Sequence, residues 1–133
     1  MKGETMRKQV VSDKAAPPKG IYSPAIIASG TMVFVSGQGP VDPKTGELQL
    51  GSFAEQATLA FQNVTTLLEA AGTSWEYAVK VGVFLADLGD FAEMNDIYKG
   101  FLTEPYAART TVQAGLPPGM LIEVDCIAVV PEK

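Results

Sequence analysis

The alternation of apolar and polar positions divides the chain into strands, helices and turns. Residues 6–11 and 24–36 are rich in apolar and β-branched types, and Ser29-Gly30 breaks the second run, which predicts an edge strand and then a hairpin. Thr31-Met32-Val33-Phe34-Val35 is almost wholly apolar, the pattern of a strand covered on both faces, and Gly37, Gly39 and Pro40 end it. Asp42-Pro43-Lys44-Thr45-Gly46 is a tight turn, with proline fixing φ and glycine free to take φ above zero. Ser52 and Glu55 then have capping-box spacing. Phe53, Ala57, Ala60, Phe61, Val64, Leu67, Leu68 and Ala71 follow at helical intervals as far as a Gly72 stop.

Residues 78–86 read as a central strand in which Gly82 signals the close approach of a neighbour. Asp90 and Glu93 suggest a second cap, for a helix with Phe91, Met94, Ile97, Tyr98, Phe101 and Leu102 mostly on one side and Pro105 as its bound. Two final strands, at about 108–114 and 120–130, are joined by Leu116-Pro117-Pro118-Gly119 and read as an antiparallel hairpin. This order of elements fits an α+β domain spanning residues 1–133, with two helices packed on one face of a mixed sheet. Strands as apolar as 31–35 and 79–86 need cover on the other face too, so the pattern predicts an oligomer.

Composition narrows the chemistry. The 133 residues carry 10 Lys plus Arg against 15 Asp plus Glu, a net charge of −5 that on average repels nucleic acid and anionic membranes. No apolar run approaches the length of a bilayer span, and the segment from Met1 to Lys8 lacks the apolar stretch of a secretory signal; the expectation is a cytoplasmic protein. Histidine is absent, which removes Ser-His-Asp triads, Cys-His dyads and imidazole-based metal sites, and no metal is expected. The single cysteine, Cys126, suits a buried strand. Of the two arginines, Arg7 lies near a terminus and is expected to be exposed, so Arg109 is the one placed for a specific task.

In the last strand, alternation puts Ile122, Val124, Cys126, Ala128 and Val130 on one face and Leu121, Glu123, Asp125, Ile127 and Val129 on the other. The expected hairpin makes Arg109 the partner of Glu123. An ordinary ion pair on a sheet would look the same.

A longer string surrounds this pair. Ala108-Arg109-Thr110-Thr111-Val112, then Leu116-Pro117-Pro118-Gly119, then Ile122-Glu123-Val124-Asp125-Cys126-Ile127-Ala128 closely resembles the C-terminal signature of the Rid (YjgF) family of reactive intermediate deaminases. Gly20-Ile21-Tyr22-Ser23-Pro24-Ala25, Val33-Phe34-Val35-Ser36-Gly37-Gln38, Pro43-Lys44-Thr45-Gly46-Glu47 and Phe84-Leu85-Ala86-Asp87-Leu88-Gly89-Asp90-Phe91 leading to Asn95 match it as well, in order, over about residues 10–130.

The resemblance implies a homotrimer of chorismate-mutase-like subunits whose sheets line a central barrel, with sites in the clefts between neighbours. It implies hydrolysis of 2-imino acids, formed from enamines such as 2-aminoacrylate, to 2-keto acids and ammonia, with no cofactor. Arg109 matches the arginine that binds the substrate carboxylate and Glu123 the acid that positions the attacking water. Tyr22 and Ser36 match residues lining the cleft, and Asn95 a position near it. Thr111 stands where many deaminase-type members carry a cysteine, and a hydroxyl is far less nucleophilic and oxidisable than a thiolate.

The alternatives are a 2-aminomuconate-type deaminase and a non-catalytic binder of 2-keto acids or other small carboxylates. Ribonuclease activity is disfavoured by the acidic charge and missing histidine, and chorismate mutase activity by the single well-placed arginine.

Overall fold

The Ser52 capping box forms as its spacing predicts. The Ser52 hydroxyl accepts from the Glu55 amide at 3.2 Å, and the Glu55 carboxylate accepts from the Ser52 amide at 3.0 Å. The helix it opens, α1 (Phe53–Ala70), buries Phe53, Ala57, Ala60, Phe61, Val64 and Leu68, whereas Leu67 stays exposed. Gly72, at φ 86°, lies just past its end. The computed structural model describes residues 6–132, so the reading of Met1–Thr5 lies outside the described residues.

Before α1 come β1 (Met6–Val10), β2 (Ala25–Ser29) and β3 (Thr31–Gln38); after it come β4 (Ala78–Leu85), α2 (Phe91–Lys99), β5 (Ala108–Gln113) and β6 (Ile122–Val130). The break at Ser29-Gly30 is not a hairpin turn. β2 pairs with β1 in a separate antiparallel ribbon, and Gly30, at φ 115°, turns the corner into β3 and the main sheet. That four-stranded sheet has the order β3-β6-β4-β5.

The expected hairpin between the last two strands is overturned. β5 runs parallel to β4 at the sheet edge, and β6 lies between β3 and β4, antiparallel to both. The physical reason is the connection: α2 links β4 to β5 as the crossover that parallel neighbours need. The 114–121 segment, with two prolines, is far longer than a two-residue hairpin turn. β4 is central as expected, and the neighbour approaching Gly82 is the Asp125 carboxylate, into which a Cβ there would collide.

Both helices cover one face of the sheet. Val81, Val83, Leu85, Ile122, Val124, Cys126 and Ala128 are buried in the core with α1 residues, and Phe61 anchors an aromatic cluster with Trp75, Tyr98 and Phe101. Alternation in β6 holds as far as Ala128; beyond it Val129 is the buried residue and Val130 is half-buried. The opposite face carries Phe34, 72% exposed, and Val112, 39% exposed, with Phe84 and Ile127 half-buried. β3 is therefore not covered on both faces within this chain.

α2 begins differently from expectation. Its leading residue Asp90 makes no side-chain cap; the chain enters from a 3₁₀ turn, Leu88–Asp90, at whose start the Asp87 carboxylate accepts from the Gly89 amide. α2 also stops at Lys99, before Phe101 and Leu102, although Leu102 is buried and its amide reaches the Tyr98 carbonyl.

Candidate functional site

Arg109 pairs with Val81 across the β4–β5 ladder, so its side chain belongs to the helix-covered face. There it meets α2. Asn95 Oδ1 accepts from Arg109 Nη1 at 2.7 Å, and the guanidinium carbon lies 4.8 Å from the Tyr98 ring centre and 5.6 Å from that of Phe91. Phe91, Asn95 and Tyr98 fall at i, i+4 and i+7, which puts all three on one side of the helix. Burial lowers the affinity of the guanidinium for its proton, while the Tyr98 and then the Tyr22 phenols raise it. Thr111 is two residues further on the same side of β5, and its Oγ1 is buried with no hydrogen-bond partner among the described residues.

Glu123 lies elsewhere. It pairs with Phe84, and with Asp125 and Ile127 it belongs to the uncovered face. Its carboxylate occupies the space over Gly37, where a Cβ would collide with it. Ser36 shares this face, lining a concavity of about 450 Å³ together with Phe34, Lys80, Thr110 and Asp125. Lys80 Nζ donates to Thr110 Oγ1 at 2.8 Å.

The ion pair expected between Arg109 and Glu123 is therefore not formed. β4 separates their strands, and the two side chains leave opposite faces. Of the six residues singled out from sequence, Arg109, Asn95 and Thr111 lie on the helix side and Glu123 and Ser36 on the open side, while Tyr22 stands in the loop before β2. Tyr22 also accepts from the Lys19 amide at 3.3 Å and lines a polar cleft with Gln9, Glu104 and Tyr106.

Arg7 departs from the exposed role expected of it. Its Nε donates to the Ala78 carbonyl at 2.6 Å and its Nη2 to the Pro105 carbonyl at 2.7 Å, which fastens the β1–β2 ribbon to the body of the protein. Gln56 is a second residue that sequence reasoning misses. Buried in α1, it donates to the carbonyls of Gly51 and Gly119 and accepts from the Leu121 amide, tying the turn before Glu123 to the helix. A glutamine inside an otherwise apolar helical stripe is the signal that could have found it.

Cys126 is buried as expected, and burial, then the neighbouring Asp125, pushes its thiol up to about 12. Among the described residues no cluster of acidic or sulfur side chains could hold a metal ion, and no helix is long and apolar enough to cross a membrane.

A family model described as endoribonuclease L-PSP matches residues 13–130. A RutC family protein of Pyrococcus abyssi is 44% identical over 125 residues, covering 92% of this chain and 98% of the relative. The rat 2-iminobutanoate/2-iminopropanoate deaminase is 41% identical over 93% of this chain and 90% of its own length. The crystal structure of Escherichia coli TdcF with bound serine superposes with a TM-score of 0.68 at 38% identity, covering 92% of this chain and 98% of that one. The chain belongs to this family, the Rid (YjgF) family, and has its chorismate-mutase-like fold.

Proposed function

We propose that the protein is a hydrolytic deaminase that converts reactive 2-imino acids to 2-keto acids and ammonia. The observation that carries this reading is the seating of Arg109. Its guanidinium is half-buried and, among the described residues, hydrogen-bonded to Asn95 through one N–H, which leaves the rest of its planar fork for a carboxylate in bidentate geometry. The deaminase name of the rat relative supplies the reaction class.

In the proposed reaction Arg109 fixes the substrate carboxylate and thereby the adjacent imine carbon. Glu123 holds a water and takes one of its protons as the oxygen bonds to that carbon. The proton then passes to the nitrogen, the C–N bond breaks with its electron pair leaving on ammonia, and Glu123 takes the remaining hydroxyl proton as the C=O forms. An iminium carbon is electrophilic already, so orientation and one positioned carboxylate suffice, the latter contributing about 10²- to 10⁴-fold.

Because Arg109 and Glu123 leave opposite faces of one sheet, the reading requires each site to combine Arg109 of one subunit with Glu123 of another. The exposed Phe34 and Val112 on the Glu123 face supply apolar surface for that assembly, for which we propose a homotrimer. Ammonia release from 2-aminoacrylate generated in situ tests the activity. Acceleration over the buffer rate is expected, and none at high enzyme concentration sinks it.

A second reading, a binder of small carboxylates without catalysis, is favoured by the serine bound to the E. coli relative. Glu123→Ala separates the two: a deaminase loses turnover and keeps 2-oxobutanoate binding, whereas a binder shows no turnover to lose.

A further inference from the structure

In the sequence the aromatic residues of α2 read as packing, and Tyr98 does pack: it is fully buried, with its ring edge-on to Phe61 of α1 at 5.8 Å. Its ring face, however, meets the guanidinium of Arg109 at 4.8 Å, and Phe91, at the exposed start of α2, approaches the same group at 5.6 Å. A guanidinium that is half-buried loses hydration, and an aromatic face replaces part of it through the ring's negative quadrupole. The face can do this without using any N–H of the fork. Asn95, between the two rings on the same side of the helix, takes one N–H.

From this arrangement we infer that Tyr98 is a positioning residue for Arg109: its core-locked ring is the platform that orients the guanidinium fork toward a substrate carboxylate, with Phe91 as a weaker second support. The inference rests on the carboxylate role proposed for Arg109. The platform is rigid because Phe61, on the neighbouring helix, fixes Tyr98 from behind. The Tyr98 hydroxyl has no hydrogen-bond partner among the described residues, so the ring rather than the oxygen carries the effect.

Four variants test this: Tyr98→Phe, Tyr98→Leu, Phe91→Leu and, as a core control away from the site, Phe101→Leu. With an imino acid substrate, Tyr98→Leu is expected to raise KM about tenfold with a smaller change in kcat, Phe91→Leu about threefold, and Tyr98→Phe by less than about twofold, on the scale of a desolvated cation–aromatic contact. Phe101→Leu is expected to lower the melting temperature and leave KM unchanged. Equal KM values in Tyr98→Leu and Phe101→Leu overturn the inference.

The second readout needs no substrate. The chain has two arginines, so the Nε–Hε resonance of Arg109 is identified by its loss in Arg109→Lys. Ring current displaces it upfield in the wild type and in Tyr98→Phe, and the displacement is lost in Tyr98→Leu. A wild-type resonance at the solvent-exposed position overturns the platform itself. A displaced resonance with 2-oxobutanoate affinity unchanged even in Arg109→Ala overturns the carboxylate role, and with it the functional half of this inference.

Discussion

On the helix-covered face of the sheet Arg109 is held by named contacts: a hydrogen bond to Asn95 and two aromatic rings, above a core in which Val81, Val83 and Val124 are fully buried. On the other face Glu123 lies over Gly37, and further along the same face are the exposed Phe34 and a concavity that no described helix covers. The contrast is between a group fixed by contacts within its own chain and one on the face that the helices leave open. A cation offsets its desolvation with aromatic and amide partners at hand, whereas the carboxylate proposed to hold a water would gain from a wall supplied by the proposed neighbouring subunit.

The sharpest way to break this comparison is complementation. Arg109→Ala and Glu123→Ala should each be inactive, the latter by about 10²- to 10⁴-fold in kcat. Subunits of the two variants, dissociated, mixed and reassembled, should regain about a quarter of the wild-type rate, the share of sites that pair an intact Arg109 with an intact Glu123 in a randomly filled ring. No recovery places both groups in the same subunit's site and removes the contrast.

A charge on the open face comes next. Phe34→Asp should weaken assembly by roughly 10²-fold or more in dissociation constant, because the carboxylate would be buried unpaired, while helical circular dichroism is retained. Sedimentation at graded concentrations reads this, and an unchanged assembly shows that Phe34 is not in the interface.

Within the sheet, Gly82→Ala forces a methyl into the space of the Asp125 carboxylate and should cost roughly 1–3 kcal/mol by denaturant unfolding. Gly115→Ala, with open space around the glycine, is the control.

The effect that is smallest at neutral pH is a pH dependence on the covered face, which grows only in alkali. The Cys126 thiol is pushed up to about 12 from an ordinary 9.0, so the fold favours its neutral form. Stability from this group is fully present below pH 9 and is lost as pH rises toward 12, at no more than about 1.4 kcal/mol per pH unit. Cys126→Ala should flatten the alkaline fall in melting temperature, and an unchanged slope assigns the fall to other groups.

Local rules make part of this fold legible in the sequence alone. The capping box, the Gly72 stop, the Asp42–Gly46 turn and the position of β4 follow from short-range chemistry, and each forms as read. The pairing of β5 does not, because neighbours in a sheet are chosen by long-range packing. The β4-α2-β5 order, taken as a crossover, points to the parallel pair. Asn95 is legible only through the family resemblance, and Tyr98 and Phe91 read as packing because an apolar stripe on a helix does not announce that an arginine will lie against it. Their common side with Asn95, at i, i+4 and i+7, is the signal the sequence carries.

The placement of β6 has a consequence for how the chain is made. Of the described strands it is the last to leave the ribosome, yet it occupies an inner position and supplies both the partner of β3 and one partner of β4. Until it emerges, β3 has no ladder partner in the main sheet and β4 has only β5, so nascent chains carry open edges of the kind that recruit holdase chaperones. Completion of the sheet and delivery of Glu123 are then the same event. A translation product stopped before residue 122 would lack the proposed water-holding group and the strand that closes the fold, and quality control would meet it as an unfolded chain rather than as an inactive enzyme.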